Sequence, residues 1–528
     1  MSLLRQLIRG STRWSSSRRL DIAIPARRPF HSMFRPHYTN VFPGAEIGSS
    51  RQRIEIENPA TEEIICTVDA ASPADVNAAV TAGMKAFQSG IWANKDVNHR
   101  FDVLIKLADM LKSRMSEFAK YESLQTGRPI REMNAQLARL PEWLTYHASL
   151  ARTHTGRIPP FKGKMLNTLT YSPLGVVAQI TPWNHPLLIA IKKIAPALAA
   201  GNSVVVKPSE LAPVSVLLFA EMALEARIPE GVLNVVCGLG AETGKALCED
   251  SRIAKIDLTG GTETGRAVCA AAGKNLIPVT AELGGKTPVL VFPDIEVERA
   301  VKGALFASFI AAGQTCVTGS RIIIHEDIYD QFAASFVAKA NALRIGDPLD
   351  TKTQVSTVIN RASIDRCQRF VDQALSEGGK LLCGGSPAPV NGKGHFFQPT
   401  VIEVTPEMAL ANEEVFGPVI ALIRSPSPAH MLATANSTPF ALGAALWTSS
   451  LSLAHSVSQQ LDAGLVWVNT HHNNDPSSPW GGWKDSGMGK ENGVEAFEGY
   501  LKCKSTVVNW GEAGGVDWFE DNKGARYG

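Results

Sequence analysis

One cysteine lies in a setting that suits nucleophilic catalysis. Cys316 closes the segment Gly-Gln-Thr-Cys, which follows an apolar helical pattern and precedes a β-branched run. An isolated cysteine is most often a small buried hydrophobic residue, so its position alone does not define a nucleophile. Cys316 becomes a candidate because two other side chains of the same chain could support it.

A carboxylate and an amide could complete a reaction centre around that thiol. Glu282 lies in Ala-Glu-Leu-Gly-Gly-Lys, an apolar stretch where a carboxylate is costly unless it is paired or used. Asn184 follows Pro-Trp after a predicted strand, and its amide can donate a hydrogen bond. A nucleophile, a base and an oxyanion donor are therefore available in one chain.

A glycine-rich turn is the first candidate for nucleotide binding. Residues 257–265 join a predicted strand to a predicted helix through Gly260, Gly261 and Gly265. The N-terminus of such a helix offers backbone N–H groups to a phosphate. The segment lacks the G-x-G-x-x-G fingerprint, and similar turns are often plain turns, so both interpretations stay open.

A second candidate ends a predicted strand with a cation and an acid. Lys207 closes the run Val-Val-Val-Lys, and Ser209 and Glu210 follow a proline. At the carboxyl edge of a parallel sheet, an acid can accept hydrogen bonds from both ribose hydroxyls. A solvated turn that begins a helix with Ser209 and Glu210 is the alternative.

Alternating strands and helices must position these residues. Short β-branched runs predict strands at 175–180, 203–206, 232–236, 253–258 and 287–292. Helical spacing predicts helices within 73–126 and at 187–200, 214–226, 243–249 and 264–274. A second alternating stretch predicts helices at 297–311, 328–342 and 361–378 and strands at 320–325, 443–447 and 465–469. We therefore predict an α/β fold with two units, the first built on a mostly parallel sheet.

Composition excludes several classes of protein. Of the 528 residues, 45% are hydrophobic and 19% are charged, as in ordinary globular proteins. We find no apolar run of about 18 residues, so no membrane insertion is predicted. The eight cysteines lie far apart, without a Cys-x-x-Cys pair or a histidine-rich partner segment. We therefore expect a reducing compartment, no disulfide framework and no metal site.

Positive charge is concentrated at the N-terminus. Residues 1–40 contain eight Arg, no Lys and one acid, with serines and apolar residues between them. This pattern is typical of a mitochondrial presequence and predicts delivery to the matrix, whereas an untargeted tail on a cytoplasmic protein is the alternative. The remaining residues carry a net charge of −5, which argues against nucleic acid as a partner.

Seven motifs in one order resemble the non-acylating NAD(P)-dependent aldehyde dehydrogenase superfamily. They are Ile-Thr-Pro-Trp-Asn at 180–184, Lys-Pro-Ser-Glu at 207–210, Gly-Gly-Thr-Glu-Thr-Gly at 260–265, Glu-Leu-Gly-Gly-Lys at 282–286, Gly-Gln-Thr-Cys at 313–316, Glu-Glu-Val-Phe-Gly-Pro at 413–418 and Ser-Pro-Trp-Gly-Gly at 478–482. The resemblance implies two Rossmann-like α/β domains, one for the cofactor (41–150 and 174–285) and one for catalysis (286–484). It also implies a small β oligomerisation element (151–173 and 498–512) and a homodimer or homotetramer.

The resemblance gives each matching position a role. Cys316 would be the nucleophile, Asn184 the side-chain donor of the oxyanion hole and Glu282 the general base. Lys193 and Glu491 match residues around a proton exit path. The cofactor would contact Lys207, Ser209 and Glu210 at the adenosine ribose, Glu414 and Phe416 near the nicotinamide ribose, and Trp183, Gly240, Gly260, Gly261 and Gly265 in the cleft.

The implied reaction oxidises an aldehyde to a carboxylic acid through a thiohemiacetal and a thioester on Cys316. A base at Glu282 argues against the related acyl-CoA-forming enzymes, which lack it. A CoA-acylating dehydrogenase and a catalytically idle NAD-binding relative are the alternatives. NAD is favoured over NADP, because the Glu210 carboxylate would repel a 2′-phosphate.

Several positions depart from the family pattern. Gly261 stands where many relatives have serine, and His185 and Lys192 stand where aromatic residues are common. His471 and His472 lie in the loop that caps the substrate tunnel in relatives. A polar tunnel weakens the case for a purely aliphatic or aromatic aldehyde, and for a trimethylammonium aldehyde, which prefers an aromatic cage. Histidines that are simply hydrogen-bonded structural groups are the alternative.

Overall fold

An N-terminal sheet and a layer of helices precede the predicted nucleotide-binding unit. The computed structural model describes residues 33–45 and 52–511. The N-terminal sheet is formed by the strands His37–Tyr38, Arg53–Asn58 and Glu63–Asp69. The helices that follow are Pro73–Gln88, Val97–Ser113, Met115–Thr126, Ile130–Leu137 and Leu140–Thr153.

The first large sheet brings the candidate cofactor residues to one edge. Its strands lie in the order Gly487–Met488, Val279–Glu282, Ile253–Thr259, Val176–Ile180, Ser203–Lys207 and Leu233–Val235. Neighbouring strands are parallel, except for the pair of Gly487–Met488 with Val279–Glu282. The connecting helices are Pro186–Ala200, Val214–Glu225, Lys245–Glu249 and Thr262–Lys274, with a π-helical turn at Gly240–Gly244.

The second large sheet supports the cysteine. Its strands lie in the order Lys380–Cys383, Thr400–Glu403, Val419–Ser425, Arg321–His325, Pro288–Val291, Gly443–Trp447 and Leu465–Val468. Neighbours are parallel except for the first pair. Its helices are Val297–Phe309, Glu326–Asn341, Arg361–Ser376, Ala409–Asn412, Pro428–Ala435 and Leu451–Gln460. The two sheets confirm the predicted α/β fold class.

A two-stranded antiparallel ribbon corresponds to the predicted oligomerisation element. Met165–Pro173 pairs along its whole length with Leu501–Asn509, and both strands are largely exposed. The ribbon starts later than the predicted residue 151, because the helix Leu140–Thr153 still runs there. A second short pair, Phe440–Ala441 with Trp483–Lys484, and the helix Gly493–Glu498 complete the described elements.

The structure changes the predicted boundary of the N-terminal segment. Residues 1–32 lie outside the described residues, whereas the next residues pack into the folded body. Phe34 and Tyr38 are buried, and the Tyr121 hydroxyl donates to the Met33 carbonyl at 2.9 Å. His37–Tyr38 also pairs in parallel with the strand Glu63–Asp69. The last eight residues of the predicted presequence, 33–40, therefore pack with the folded domain.

Strands at the edge of the second sheet were not predicted. The strands Lys380–Cys383, Thr400–Glu403 and Val419–Ser425 lie where the sequence patterns predict no element.

In the described ranges, no helix combines the length and apolar character that crossing a bilayer requires.

Candidate active site

A cavity of about 1120 Å³ connects the carboxyl edge of the first sheet with Cys316. Most of the predicted site residues line it: Trp183, Asn184, Lys207, Ser209, Glu210, Gly240, Gly260, Gly261, Cys316, Glu414 and Phe416. Four predicted residues do not line it, namely Glu282, Lys193, Glu491 and Gly265. The first three lie in a buried charged cluster, and Gly265 packs against Leu283, where a side chain would collide.

The edge of the first sheet suits a dinucleotide. Gly261 is the N-cap of the helix Thr262–Lys274, and no side chain caps this end. No atom of a neighbouring segment lies within 4 Å of the position that a Cβ on Gly261 would take. Its N-terminal N–H groups are therefore accessible to a phosphate. Trp183 and Phe416 meet edge to face at 5.5 Å between ring centroids, farther along the same cavity. These residues fit an elongated ligand with phosphates at its centre.

Lys207 and Glu210 lie together at the end of their strand. Lys207 is buried, and its Nζ lies 3.5 Å from Oε2 of Glu210. The next helix begins only at Val214. No helix therefore begins with Ser209 and Glu210, but these residues do lie in a turn, which leaves the Glu210 carboxylate available to a ribose.

The loop that carries Cys316 is held by Gln314. The Gln314 amide donates to the carbonyls of Ala311 and Thr357, and its Oε1 accepts from the Ile359 N–H. Nδ2 of Asn184 donates to the Gln314 carbonyl at 2.9 Å. The predicted oxyanion donor is thereby fixed within two residues of the cysteine. The side-chain amide of Asn184 has a second N–H, which can bind a ligand.

The segment that carries Glu282 contacts the cysteine loop directly. Gly285 lies so close to the Cys316 carbonyl that any side chain there would collide with it. The Gly285 N–H also donates to Oε1 of Glu414 at 3.1 Å. Three segments that are distant in sequence thus meet here: the predicted base, the nucleophile and the acid from the cofactor cleft.

Glu282 is buried at the end of the strand Val279–Glu282, and neither of its carboxylate oxygens has a hydrogen-bond partner among the described residues. The carboxylate rests against Gly481, where a side chain would overlap it. Burial, followed by the negative charge of Glu491, raises the pKa of Glu282 well above its usual value. A carboxylate in this environment binds a proton strongly, as a general base must.

Behind Glu282 lies a buried network of charges. Glu491 accepts from Lys192 at 2.5 Å and from Lys193 at 2.5 Å, and Lys193 also donates to Asp257. Asp257 accepts from the Tyr500 hydroxyl at 2.6 Å. Burial alone would raise the pKa of Glu491, but the two ammonium groups outweigh it and lower this pKa to about 2. The network therefore places ionised groups next to a carboxyl group that favours its neutral form.

The surroundings of Cys316 disfavour ionisation of its thiol. Burial, followed by the charge of Glu282, raises its pKa to about 12, and Lys192 opposes this shift. The acidic surroundings of the sulfur thus favour the thiol, and a base is needed to form the nucleophilic thiolate.

Comparison with known proteins gives the family. A sequence model of the aldehyde dehydrogenase family matches residues 47–506. The chain is 41% identical to a betaine aldehyde dehydrogenase of Cereibacter sphaeroides, over 87% of this chain and 94% of that protein. It is 38% identical to mitochondrial aldehyde dehydrogenase of Homo sapiens, over 87% and 89% of the two chains. The chain belongs to the aldehyde dehydrogenase family.

A solved structure extends this similarity to the fold. Betaine aldehyde dehydrogenase of Staphylococcus aureus in complex with NAD+ has a TM-score of 0.89 and 33% identity, and the alignment covers 93% of this chain and 99% of that one. Family membership confirms the predicted superfamily and the predicted enzyme class, an oxidoreductase that acts on aldehydes.

His185 lines this aldehyde dehydrogenase site, whereas His471 and His472 line a second cavity. The rings of His185 and His472 lie 6.0 Å apart, and the ring of His472 lies 6.1 Å from that of Trp480. His471 is a structural group, since its Nε2 donates to the Val317 carbonyl at 2.8 Å. Burial lowers the pKa of His471 to about 4 and that of His472 to about 3, so both are neutral at physiological pH.

Sequence reasoning missed several residues of the site. Ser363 and Arg366, on the helix Arg361–Ser376, line the cavity from the second unit, and Arg366 donates to the Glu414 carbonyl. Asp257 and Tyr500 belong to the buried network. Of these residues, only Asp257 could have been found from the sequence, because an acid inside an apolar strand must be paired when it is buried. Among the described residues, no group of three or more His, Cys, Asp or Glu side chains could hold a metal ion.

Proposed function

We propose that this protein oxidises an aldehyde to a carboxylic acid with Cys316 as nucleophile, Asn184 as oxyanion donor and Glu282 as base. The supporting observation is the meeting of these three groups beside a cavity that suits a dinucleotide. NAD is the cofactor that the S. aureus relative supports, and Glu210 suits it because a carboxylate would repel the 2′-phosphate of NADP. When bound, NAD accepts the hydride.

The first task of the site is to take the proton from the Cys316 thiol. Ionised Glu282 can accept it, since its raised pKa makes this carboxylate a stronger base than an exposed one. The sulfur then forms a bond to the aldehyde carbon, and the carbonyl oxygen becomes an oxyanion. The free N–H of Asn184 stabilises this oxyanion, a contribution of about 3 kcal/mol in comparable sites.

The second task is to hydrolyse the thioester left on Cys316. Glu282 must first release its proton to solvent, and the nearby positive charges of Lys192 and Lys193 favour this release because they lower the pKa of Glu282. Glu282 then takes a proton from water, and the resulting hydroxide displaces the sulfur. General-base assistance of this kind is worth roughly 10² to 10⁴ in rate.

NADH formation with a set of aldehydes tests the proposal. We expect Cys316→Ala to abolish turnover, and Glu282→Gln to slow both the first turnover, measured as pre-steady-state NADH formation, and steady-state turnover. An acyl-CoA product in the presence of CoA would indicate an acylating enzyme instead. Thermal stabilisation by NAD without any turnover would indicate an idle relative, and full activity of Cys316→Ala would exclude the proposed mechanism.

The ribbon supports a homo-oligomer as the active species. Its strands expose several large apolar side chains, namely Met165, Leu166, Val507 and Val508. Apolar groups clustered on one exposed ribbon are typical of a surface that a second copy of the chain covers. Val507→Glu with Val508→Glu should lower the mass measured by light scattering to that of a smaller assembly, and an unchanged mass would contradict this assignment.

We also propose delivery to the mitochondrial matrix. The Arg-rich, acid-poor N-terminus supports this location, and the similar human protein is a mitochondrial one, although the similar C. sphaeroides enzyme is bacterial. Removal of residues 1–32, which leaves the described domain complete, should abolish import. Unchanged import of the shortened chain would support a cytoplasmic protein.

A further inference from the structure

His185, the neighbour of the oxyanion donor, is fixed in one tautomer. Its Nδ1 lies 2.8 Å from Nη1 of Arg128 and 2.9 Å from the amide nitrogen of Gln136. A guanidinium can only donate, so Nδ1 must accept. The proton of the neutral ring is therefore on Nε2. Burial, followed by the positive charge of Arg128, lowers the pKa of His185 and keeps the ring neutral.

The Nε2–H of His185 is a buried donor without a partner. The residue is 4% exposed, and Nε2 makes no hydrogen bond within the described part of the chain. An unsatisfied buried donor costs about 1–3 kcal/mol, and it is usually satisfied by water or a ligand. His185 lines the same cavity as Asn184 and Cys316. An oxygen atom of a bound substrate could therefore supply the missing acceptor.

The aromatic face of Trp480, which lies near His472, is already occupied by a cation. The Lys192 ammonium lies 4.6 Å from the centroid of the Trp480 ring, so this aromatic face already holds a cation. Lys192 itself is neutralised by Glu491, and Arg128 is paired with Glu132 at 3.2 Å. A trimethylammonium group would find no free aromatic face on Trp480, whereas an acceptor oxygen would find the free donor of His185.

We propose that His185 determines specificity through its Nε2–H, and that the substrate is an aldehyde with an acceptor oxygen, a hydroxyl or a carboxylate, besides the reacting carbonyl. This assignment rests on the proposed aldehyde oxidation. It differs from the substrate in the names of the C. sphaeroides and S. aureus relatives, which are betaine aldehyde dehydrogenases.

Matched aldehydes test the assignment on the unmodified protein. One series is benzaldehyde with its hydroxy- and carboxy-substituted forms, and the other compares butanal with succinic semialdehyde. We expect kcat/KM for the best oxygen-bearing member to exceed that of its parent about ten- to a hundredfold. Comparison of the hydroxy-substituted with the carboxy-substituted aldehydes shows whether the acceptor oxygen belongs to a hydroxyl or to a carboxylate. Equal values throughout, or a preference for betaine aldehyde, would overturn the assignment.

Variants then test the role of His185 itself. In His185→Phe the ratio of oxygen-bearing to parent aldehyde should fall towards one, whereas His185→Gln, which still offers an N–H, should keep part of the preference. His455→Phe, an exposed position on the helix Leu451–Gln460, is the control and should keep the full ratio. An unchanged ratio in His185→Phe would refute the role of His185, while the absence of oxidation of any aldehyde by the unmodified protein would refute the proposed function.

Discussion

At the scale of single residues, the site combines two acids that both favour their protonated forms. Desolvation raises the pKa of both groups, and the charge of Glu282 raises that of Cys316 further. The sequence identified both residues, together with Asn184, because their local motifs are distinctive. It could not give their ionisation states, because these depend on burial and on Glu491 and Lys192, which other elements bring to the site.

The raised pKa of Cys316 predicts slow alkylation at neutral pH. Below a pKa of about 12 the thiolate fraction increases about tenfold for each pH unit, so the rate with iodoacetamide should rise steadily from pH 7 to pH 10. Peptide mass spectrometry measures the rate at Cys316. A rate that levels off near pH 7 would show a preformed thiolate and would contradict the burial argument.

Lys192 should favour the ionised forms of both Cys316 and Glu282. It is buried, and its positive charge lowers the pKa of Cys316 and of Glu282. In Lys192→Met, we therefore expect alkylation of Cys316 at pH 8 to slow about tenfold, equivalent to one pKa unit. The control is Lys255→Met. Lys255 is also a buried lysine, and it donates to Thr280 on the strand that carries Glu282. If both variants slow alkylation equally, a general loss of stability explains the effect and the role of Lys192 is wrong.

At the scale of elements, the turn before Cys316 differs from the predicted helix. The helix was expected to reach residue 311 but ends at Phe309, and Ala311 and Ala312 have φ values of 53° and 52°. Alanine in the left-handed region is strained by about 1–2 kcal/mol per residue. No sequence rule predicts such a conformation for two alanines. It is imposed by the Gln314 contacts that hold the loop.

Glycine at this turn should stabilise the protein. In Ala312→Gly the left-handed conformation loses its steric penalty, and the free energy of unfolding should rise by up to about 1 kcal/mol after the entropic cost of glycine. Ala334→Gly, at an exposed position inside the helix Glu326–Asn341, should instead lower it by about 1 kcal/mol. Thermal unfolding of both variants measures the contrast, and destabilisation by Ala312→Gly would argue against strain at this turn.

At the scale of the whole molecule, alternating patterns gave the two-sheet architecture but not its edges. The central strands Val176–Ile180 and Ser203–Lys207 were found because both of their faces are buried, which leaves continuous β-branched runs. Edge strands such as Lys380–Cys383 lack that signal because they are partly exposed. Gly487–Met488 joins the first sheet from a distant part of the sequence, and a contact of this kind leaves no local pattern.

At the N-terminus, composition and packing suggest different boundaries. Arginine content marks residues 1–40 as one segment, yet Phe34 and Tyr38 are 5% and 2% exposed in the folded body. Fully burying one such side chain contributes about 1.5–3 kcal/mol. A chain lacking residues 1–40 should therefore unfold several degrees below a chain lacking residues 1–32. Calorimetry of the two truncated proteins measures this difference, and identical midpoints would mean that the segment 33–40 adds nothing to stability despite its burial.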